Sequence, residues 1–338
     1  MVSVTKRRIN KILIANRSEI AIRIMRAATE LGISTVAVYS REDRFALHRY
    51  KADESYLIGE SKGPVEAYLG IEEIIRTAIE ADVDAIHPGY GFLSENPDFA
   101  DAVVEAGLIF VGPTGNTMRN LSSKLAARKL ALKAGVPVMP ATGPLPALPN
   151  GEIEIKKIAD EIGYPVMCKA TWGGGGRGMR VIESAKNLLS LVEQASREAA
   201  AAFGNGEVYL EKLVRNARHV EVQVMGDLYG NIVHMFERDC SVQRRHQKVV
   251  ERAPAVFLDE EARAFLCEQG IKIAKSADYH SAGTVEFLQD ADNGEIYFIE
   301  VNPRIQVEHT VTELVTNIDL VQAQIRIAAG GKIGDINS

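Results

Sequence analysis

The chain has 338 residues, 46% hydrophobic and 25% charged, which fits a globular protein of two or three domains and excludes extensive disorder. A net charge of −6 leaves no global basic field to draw nucleic acid or an anionic membrane. No apolar run is long enough to span a bilayer, and Cys168, Cys240 and Cys267, far apart and outside CxxC spacing, argue against a disulfide framework or a zinc site.

Residues 11–15 form an apolar run that ends in the polar turn Asn16-Arg17-Ser18-Glu19, the pattern of a buried strand. Lys6, Arg7 and Arg8 precede it as in a signal peptide, but the run is too short for an h-region, so a cytoplasmic protein is expected. Ser18 is placed to cap a helix whose apolar face carries Ile20, Ile24, Ala27, Ala28 and Leu31, with Gly32 as its stop. Strands are expected at 35–39, 55–58, 85–86 and 109–111, with helices at 71–81 and 99–106 between the later ones. Such alternation predicts a doubly wound parallel sheet with right-handed crossovers, ending near Arg119. The first strand–helix turn lacks GxGxxG and no GxxxxGK[ST] occurs, which disfavours a dinucleotide dehydrogenase and a P-loop NTPase.

A helix is expected over 121–134, followed by Pro137, Pro140, Pro144, Pro146 and Pro149 as a stiff connector. The domain boundaries read from this are 1–119, a connector at 120–150, a small subdomain at 151–214 and a last domain at 215–338. The subdomain pattern is helix 153–162, strand 166–170, a glycine loop, strand 179–182, helix 184–202 and strand 208–214. Antiparallel strands then follow at 219–225, 232–236, 284–288 and 296–301, with a helix at 259–277 between them.

Four segments carry chemistry. Gly173, Gly174, Gly175, Gly176 and Gly178 put five glycines in six positions between Lys169 and Arg180. The forfeited backbone entropy suits a flap whose N–H groups approach a polyanion, and the flanking strands make a plain surface loop the weaker reading. Glu286 and Glu300 sit on separate strands, and Asn302 shares a strand face with Glu300 at i, i+2. Two carboxylates and an amide oxygen suit Mg²⁺; the alternative, a solvated acidic edge, fits poorly beside Tyr297-Phe298-Ile299. Between Asn302 and His309, Arg304 can bind an oxyanion bidentately, and Glu308 beside such a cation would stay ionised as a base. The string 237–248 is basic but lacks interleaved aromatics, so a local cluster for small anions is expected rather than an RNA patch.

Together Lys169 with residues 173–180, the string 237–248, residues 300–309, His87-Pro88-Gly89-Tyr90-Gly91-Phe92-Leu93-Ser94-Glu95-Asn96 and Ile14-Ala15-Asn16-Arg17-Ser18-Glu19-Ile20-Ala21 resemble the ATP-grasp biotin carboxylase component of biotin-dependent carboxylases. The resemblance runs from about Lys11 to the end and is greatest to the N-terminal portion of the pyruvate carboxylases, although His246 is more like acetyl-CoA carboxylase subunits.

The resemblance implies a pre-ATP-grasp α/β domain, then an ATP-grasp fold with a mobile lid and an antiparallel sheet. It implies ATP contacts from Lys124, Lys169, Gly173, Gly174, Gly175, Gly176, Glu211, Lys212, Val214, His219, Gln243 and His246. A metal site of Glu286, Glu300 and Asn302 for Mg²⁺ or Mn²⁺ is implied, as is a bicarbonate site of Lys248, Arg304, Gln306, Val307 and Glu308. Catalytic roles fall to Glu308, Arg304 and Lys248, with biotin on a carrier domain as acceptor, a carboxyltransferase domain as partner and a homo-oligomer as the assembly. The family carries a further C-terminal stretch, so a truncated chain is expected. The alternatives are another ATP-grasp ligase, such as half of a carbamoyl-phosphate synthetase, and a nucleotide-binding module without turnover.

Overall fold

The computed structural model describes residues 6–122, 124–171, 179–245 and 247–335. The chain divides into two compact units, one of Met1–Val136, Arg218–Leu288 and Phe298–Ser338, the other of Pro137–Ala217 and Gln289–Tyr297.

The first unit begins with strands β1 (Lys11–Ile14), β2 (Ser34–Tyr39), β3 (Glu54–Leu57), β4 (Ala85–His87) and β5 (Ile109–Phe110), in the order β3-β2-β1-β4-β5. All four pairings are parallel, as the alternation of strands with α1 (Ser18–Glu30), α2 (Leu47–Lys51), α3 (Ile71–Glu80) and α4 (Pro97–Glu105) requires. Helix α1 buries Ile20, Ala21, Ile24, Met25, Ala27 and Ala28. That stripe joins Ile12 and Ile14 in a core that also takes in Met225, Ala282 and Leu320 from much later in the chain. Each fully buried Ile contributes roughly 1.5–3 kcal/mol of hydrophobic transfer.

Two expectations need correction here. Ser18 does not cap α1: the cap position is Arg17 and no side chain accepts there, while Ser18 itself begins the helix at φ +58°. The helix expected over 121–134 starts earlier, at Gly115, its described residues being α5 (Gly115–Ser122) and α6 (Lys124–Lys133).

In the second unit, α7 (Glu152–Ile162), β6 (Val166–Ala170), β7 (Arg180–Ile182), α8 (Leu188–Phe203) and β8 (Val208–Lys212) build an antiparallel sheet ordered β7-β6-β8. Strand alternation sends Val166, Cys168, Val208 and Leu210 to one face, where they pack with Ile155, Val192 and Ala195 of the two helices. Lys169 and Glu211 therefore share the other face.

The first unit resumes with β9 (Ala217–Gly226), β10 (Ile232–Arg244), β11 (Gln247–Arg252), α9 (Glu260–Ser276), β12 (Ser281–Asp290), β13 (Ile296–Asn302), α10 (His309–Thr316) and α11 (Leu320–Ala328). Sheet order is β11-β10-β9-β12-β13, with β10 antiparallel to both β9 and β11. Strand β10 runs well past the expected 232–236 and β11 was not foreseen, because a bulge interrupts the alternation between His234 and Glu237. Phe236 sits at that bulge with φ +62°. Beyond it Glu237, Arg238, Asp239 and Cys240 are all buried. One pair faces α9, where Glu237 meets Arg263 Nε at 2.9 Å; Arg238 faces the opposite way.

Candidate active site

The far face of this sheet gathers ionisable groups. Alternation along β9 puts His219, Glu221 and Gln223 on one face, with Val220, Val222 and Val224 on the other. Arg238 arrives from β10, Lys248 from β11 opposite Gln243, and Thr284 and Glu286 from β12. The loop 303–308, between β13 and α10, brings Gln306 and Glu308.

Lys248 Nζ stands 2.5 Å from Glu221 Oε2, 2.9 Å from Glu286 Oε1 and 2.6 Å from Glu308 Oε1. Burial alone would lower its pKa, but three carboxylates more than offset this and hold the ammonium charged. Burial pushes Glu308 up; the Lys248 ammonium outweighs it and keeps the carboxyl below its usual range. For Glu286 the same burial penalty is beaten by His219, whose Nε2 is 3.1 Å away, and by Lys248, leaving its pKa at about 2.

Arg238, with no solvent exposure, spends its guanidinium on five partners: Glu221 Oε1 at 2.6 Å, Gln223 Oε1 at 2.7 Å, Thr312 Oγ1 at 2.9 Å, Thr284 Oγ1 at 3.1 Å and Gln306 Oε1 at 3.0 Å. Within the string 237–248, its most buried cation is thus already satisfied by protein partners. Gln243, exposed, donates to the Cys240 carbonyl at 2.9 Å.

Glu286 Oε1 also accepts from Asn302 Nδ2 at 2.8 Å and from Gln306 Nε2 at 3.3 Å. Glu300, half-buried, precedes Asn302 by two residues on β13. His219, Glu286, Asn302 and Glu300 thus supply hard oxygen donors and an imidazole on neighbouring strands, a set that fits a divalent cation.

Arg304 is not beside Glu308, contrary to the sequence expectation. Its Nε donates to Glu95 Oε1 at 2.6 Å and its Nη2 to Asn302 Oδ1 at 3.3 Å, while the cation on Glu308 is Lys248. The loop turns between positions 304 and 308, so neighbours in sequence face different groups. Val307 is 60% exposed.

In the second unit Lys169 Nζ pairs with Glu211 across the open face of the sheet. Lys212 Nζ donates to the Gly163 carbonyl at 3.1 Å, and Val214 lies half-buried just past β8. Gly173, Gly174, Gly175, Gly176 and His246, with the Lys124 side chain, lie outside the described residues. Sequence reasoning missed Glu221 and Arg238. The polar alternation His219, Glu221, Gln223 between three valines was the available signal for an inward polar face.

No helix among the described residues is long and apolar enough to cross a membrane. Residues 8–118 match the family described as biotin carboxylase, N-terminal domain, and residues 123–336 match carbamoyl-phosphate synthase L chain, ATP binding domain. Pyruvate carboxylase of Bacillus subtilis is 56% identical over 323 residues, which cover 95% of this chain but only 28% of that protein. Rhizobium etli pyruvate carboxylase is 62% identical in a structural match with TM-score 0.81, covering 96% of this chain and 29% of that one. The biotin carboxylase domain of a thermophilic 2-oxoglutarate carboxylase, solved with bicarbonate, matches with TM-score 0.90 at 46% identity, covering 96% of this chain and 70% of that domain. Since the two family matches account for nearly the whole sequence and the chain spans over two thirds of a solved biotin carboxylase domain, it belongs to the biotin carboxylase family.

Proposed function

We propose that the chain carries out ATP-dependent carboxylation of biotin by bicarbonate, the first half-reaction of a pyruvate carboxylase. The observation that carries this reading is the Lys248–Glu308 pair at 2.6 Å, a half-buried cation beside a buried carboxylate kept ionised. An entering bicarbonate can take the ammonium as its counter-charge while Glu308 accepts its proton. The bicarbonate oxygen then bonds to the γ-phosphorus of ATP as the bond to ADP breaks, giving carboxyphosphate. Positioning and charge neutralisation supply most of the rate in such transfers. Carboxyphosphate divides into CO₂ and phosphate; the phosphate takes the N1 proton of biotin, and N1 captures CO₂.

Within this proposal Lys248, Arg304, Gln306, Val307 and Glu308 form the bicarbonate site. A divalent cation, Mg²⁺ or Mn²⁺, would sit on Glu286, Glu300 and Asn302 and neutralise charge on the ATP phosphates. His219, Gln243 and His246, with Lys124, Lys169, Glu211, Lys212 and Val214, would hold the nucleotide. Residues 151–214, with the loop Gly173–Gly176, would be the lid that excludes water. The biotin would come on a carrier domain, and a carboxyltransferase domain would take up the product. The bicarbonate bound to the 2-oxoglutarate carboxylase domain supports the substrate.

Release of ADP from MgATP, with and without bicarbonate and with free biotin added, tests the reading. Stimulation by both is expected. Stimulation by bicarbonate alone would favour a carbamoyl-phosphate synthetase-type ligase, and no cleavage would favour a binding module.

A further inference from the structure

The loop 303–308 carries every bicarbonate-site residue of the proposed function except Lys248, and the group that fixes it lies outside that set. His309, the first residue of α10, is 2% exposed. Its Nδ1 is 2.8 Å from the Gln306 carbonyl oxygen, and its backbone N–H reaches the same oxygen at 3.2 Å. A carbonyl only accepts, so Nδ1 carries the proton. Gln306 is thus clamped by main chain while its amide bridges Arg238 and Glu286.

The imidazole is itself oriented from behind. Its Nε2 is buried without a hydrogen-bond partner among the described residues, 3.9 Å from Glu313 Oε2 one turn along α10. The other oxygen, Glu313 Oε1, is held by Arg23 Nη2 at 2.8 Å and by the Leu320 N–H at 2.8 Å. Arg23 Nη2 also meets Asp319 Oδ1 at 2.8 Å, and Arg23 Nη1 is buried without a partner among the described residues. Arg23 and His309 thus both border the Glu313 carboxylate, and the fully buried His87 lies near both.

We propose that His309 is a positioning residue for the bicarbonate loop, set against the Glu313–Arg23 pair. It holds the loop by donating from Nδ1, and it touches no reacting atom. The proposal rests on the bicarbonate reading for its kinetic consequence but not for its structural one.

The test compares His309→Asn, whose amide N–H reproduces the Nδ1 donor, with His309→Gln, whose amide lies at the Nε2 position. Bicarbonate-dependent ADP release and calorimetric MgATP binding are read together with amide hydrogen exchange over residues 304–309. His309→Gln should raise the KM for bicarbonate about tenfold, the lower range for a lost orienting partner, with MgATP affinity unchanged. It should also speed exchange in the loop, and His309→Asn should restore both. Exchange at the wild-type rate in His309→Gln would overturn the proposal. Accelerated exchange in a protein that shows no response to bicarbonate would leave the positioning role standing and sink the proposed function instead.

Discussion

Glu221 Oε2 stands 2.5 Å from Lys248 Nζ, and the other oxygen of the same carboxylate stands 2.6 Å from Arg238 Nε. One fully buried carboxylate therefore bridges the two cations around which the site is organised. Glu221→Gln would leave the fully buried Arg238 with neutral partners alone, while Lys248 keeps Glu286 and Glu308. Breaking such a buried pair from one side costs about 3–5 kcal/mol. A urea titration should show a lower midpoint at unchanged slope; an unchanged midpoint would mean that solvent reaches the pair.

Glu308→Gln separates chemistry from binding. The amide keeps the shape but cannot accept the bicarbonate proton. Bicarbonate-dependent phosphate release should fall by about a hundred- to ten-thousand-fold, the usual worth of a general base. Calorimetric MgATP affinity should stay as it was. Near-normal turnover would remove Glu308 from the role of base.

Glu300→Gln should raise the Mg²⁺ concentration needed for half-maximal ATP cleavage, since one anionic donor is lost while the side-chain volume stays. Lys169→Gln in the second unit should weaken MgATP binding and free Glu211 of its ion pair. Undiminished affinity in that variant would take Lys169 out of the nucleotide site.

Acid should loosen the first unit through Glu286. Its pKa is depressed from 4.5 to about 2, so its contribution is fully present above pH 4.5 and is lost as pH falls towards 2. The shift corresponds to about 3 kcal/mol. Glu286→Gln should flatten the acid limb of a stability–pH curve below pH 5; a curve that keeps the wild-type slope would assign the acid sensitivity elsewhere.

Ser18 opens α1 at φ +58°, a conformation that costs an L-residue about 1–2 kcal/mol and glycine almost nothing. Ser18→Gly should therefore raise stability by about 0.5–1 kcal/mol after glycine's own entropy cost, and Ser18→Val should lower it. Thermal melting of the two variants decides this.

Much of this was legible in the sequence, for identifiable reasons. The parallel sheet follows from strands and helices of ordinary period, and Glu286, Glu300 and Asn302 stand out on strands with uninterrupted β-rich patterns. Glu221 was hidden because an alternating polar face on β9 looks the same whether it meets water or a buried guanidinium. Arg238 was hidden by the bulge, which removes the alternation a reader relies on. The partner of Glu308 was misassigned because Arg304 is four residues away in sequence while Lys248 is 60 away. Linear distance says nothing about which strand lies opposite.

The bulge at Phe236 makes this site a matter of counting. Three steps of β10, from His234 to Glu237, match only two of β9, from Val224 to Val222, and this surplus residue is what sets Arg238 opposite Glu221. In an even ladder of the same residues Glu237 would stand opposite Glu221 and Arg238 would turn to the Val220 face. A residue that contributes no group to the chemistry thus decides which sign of charge enters it.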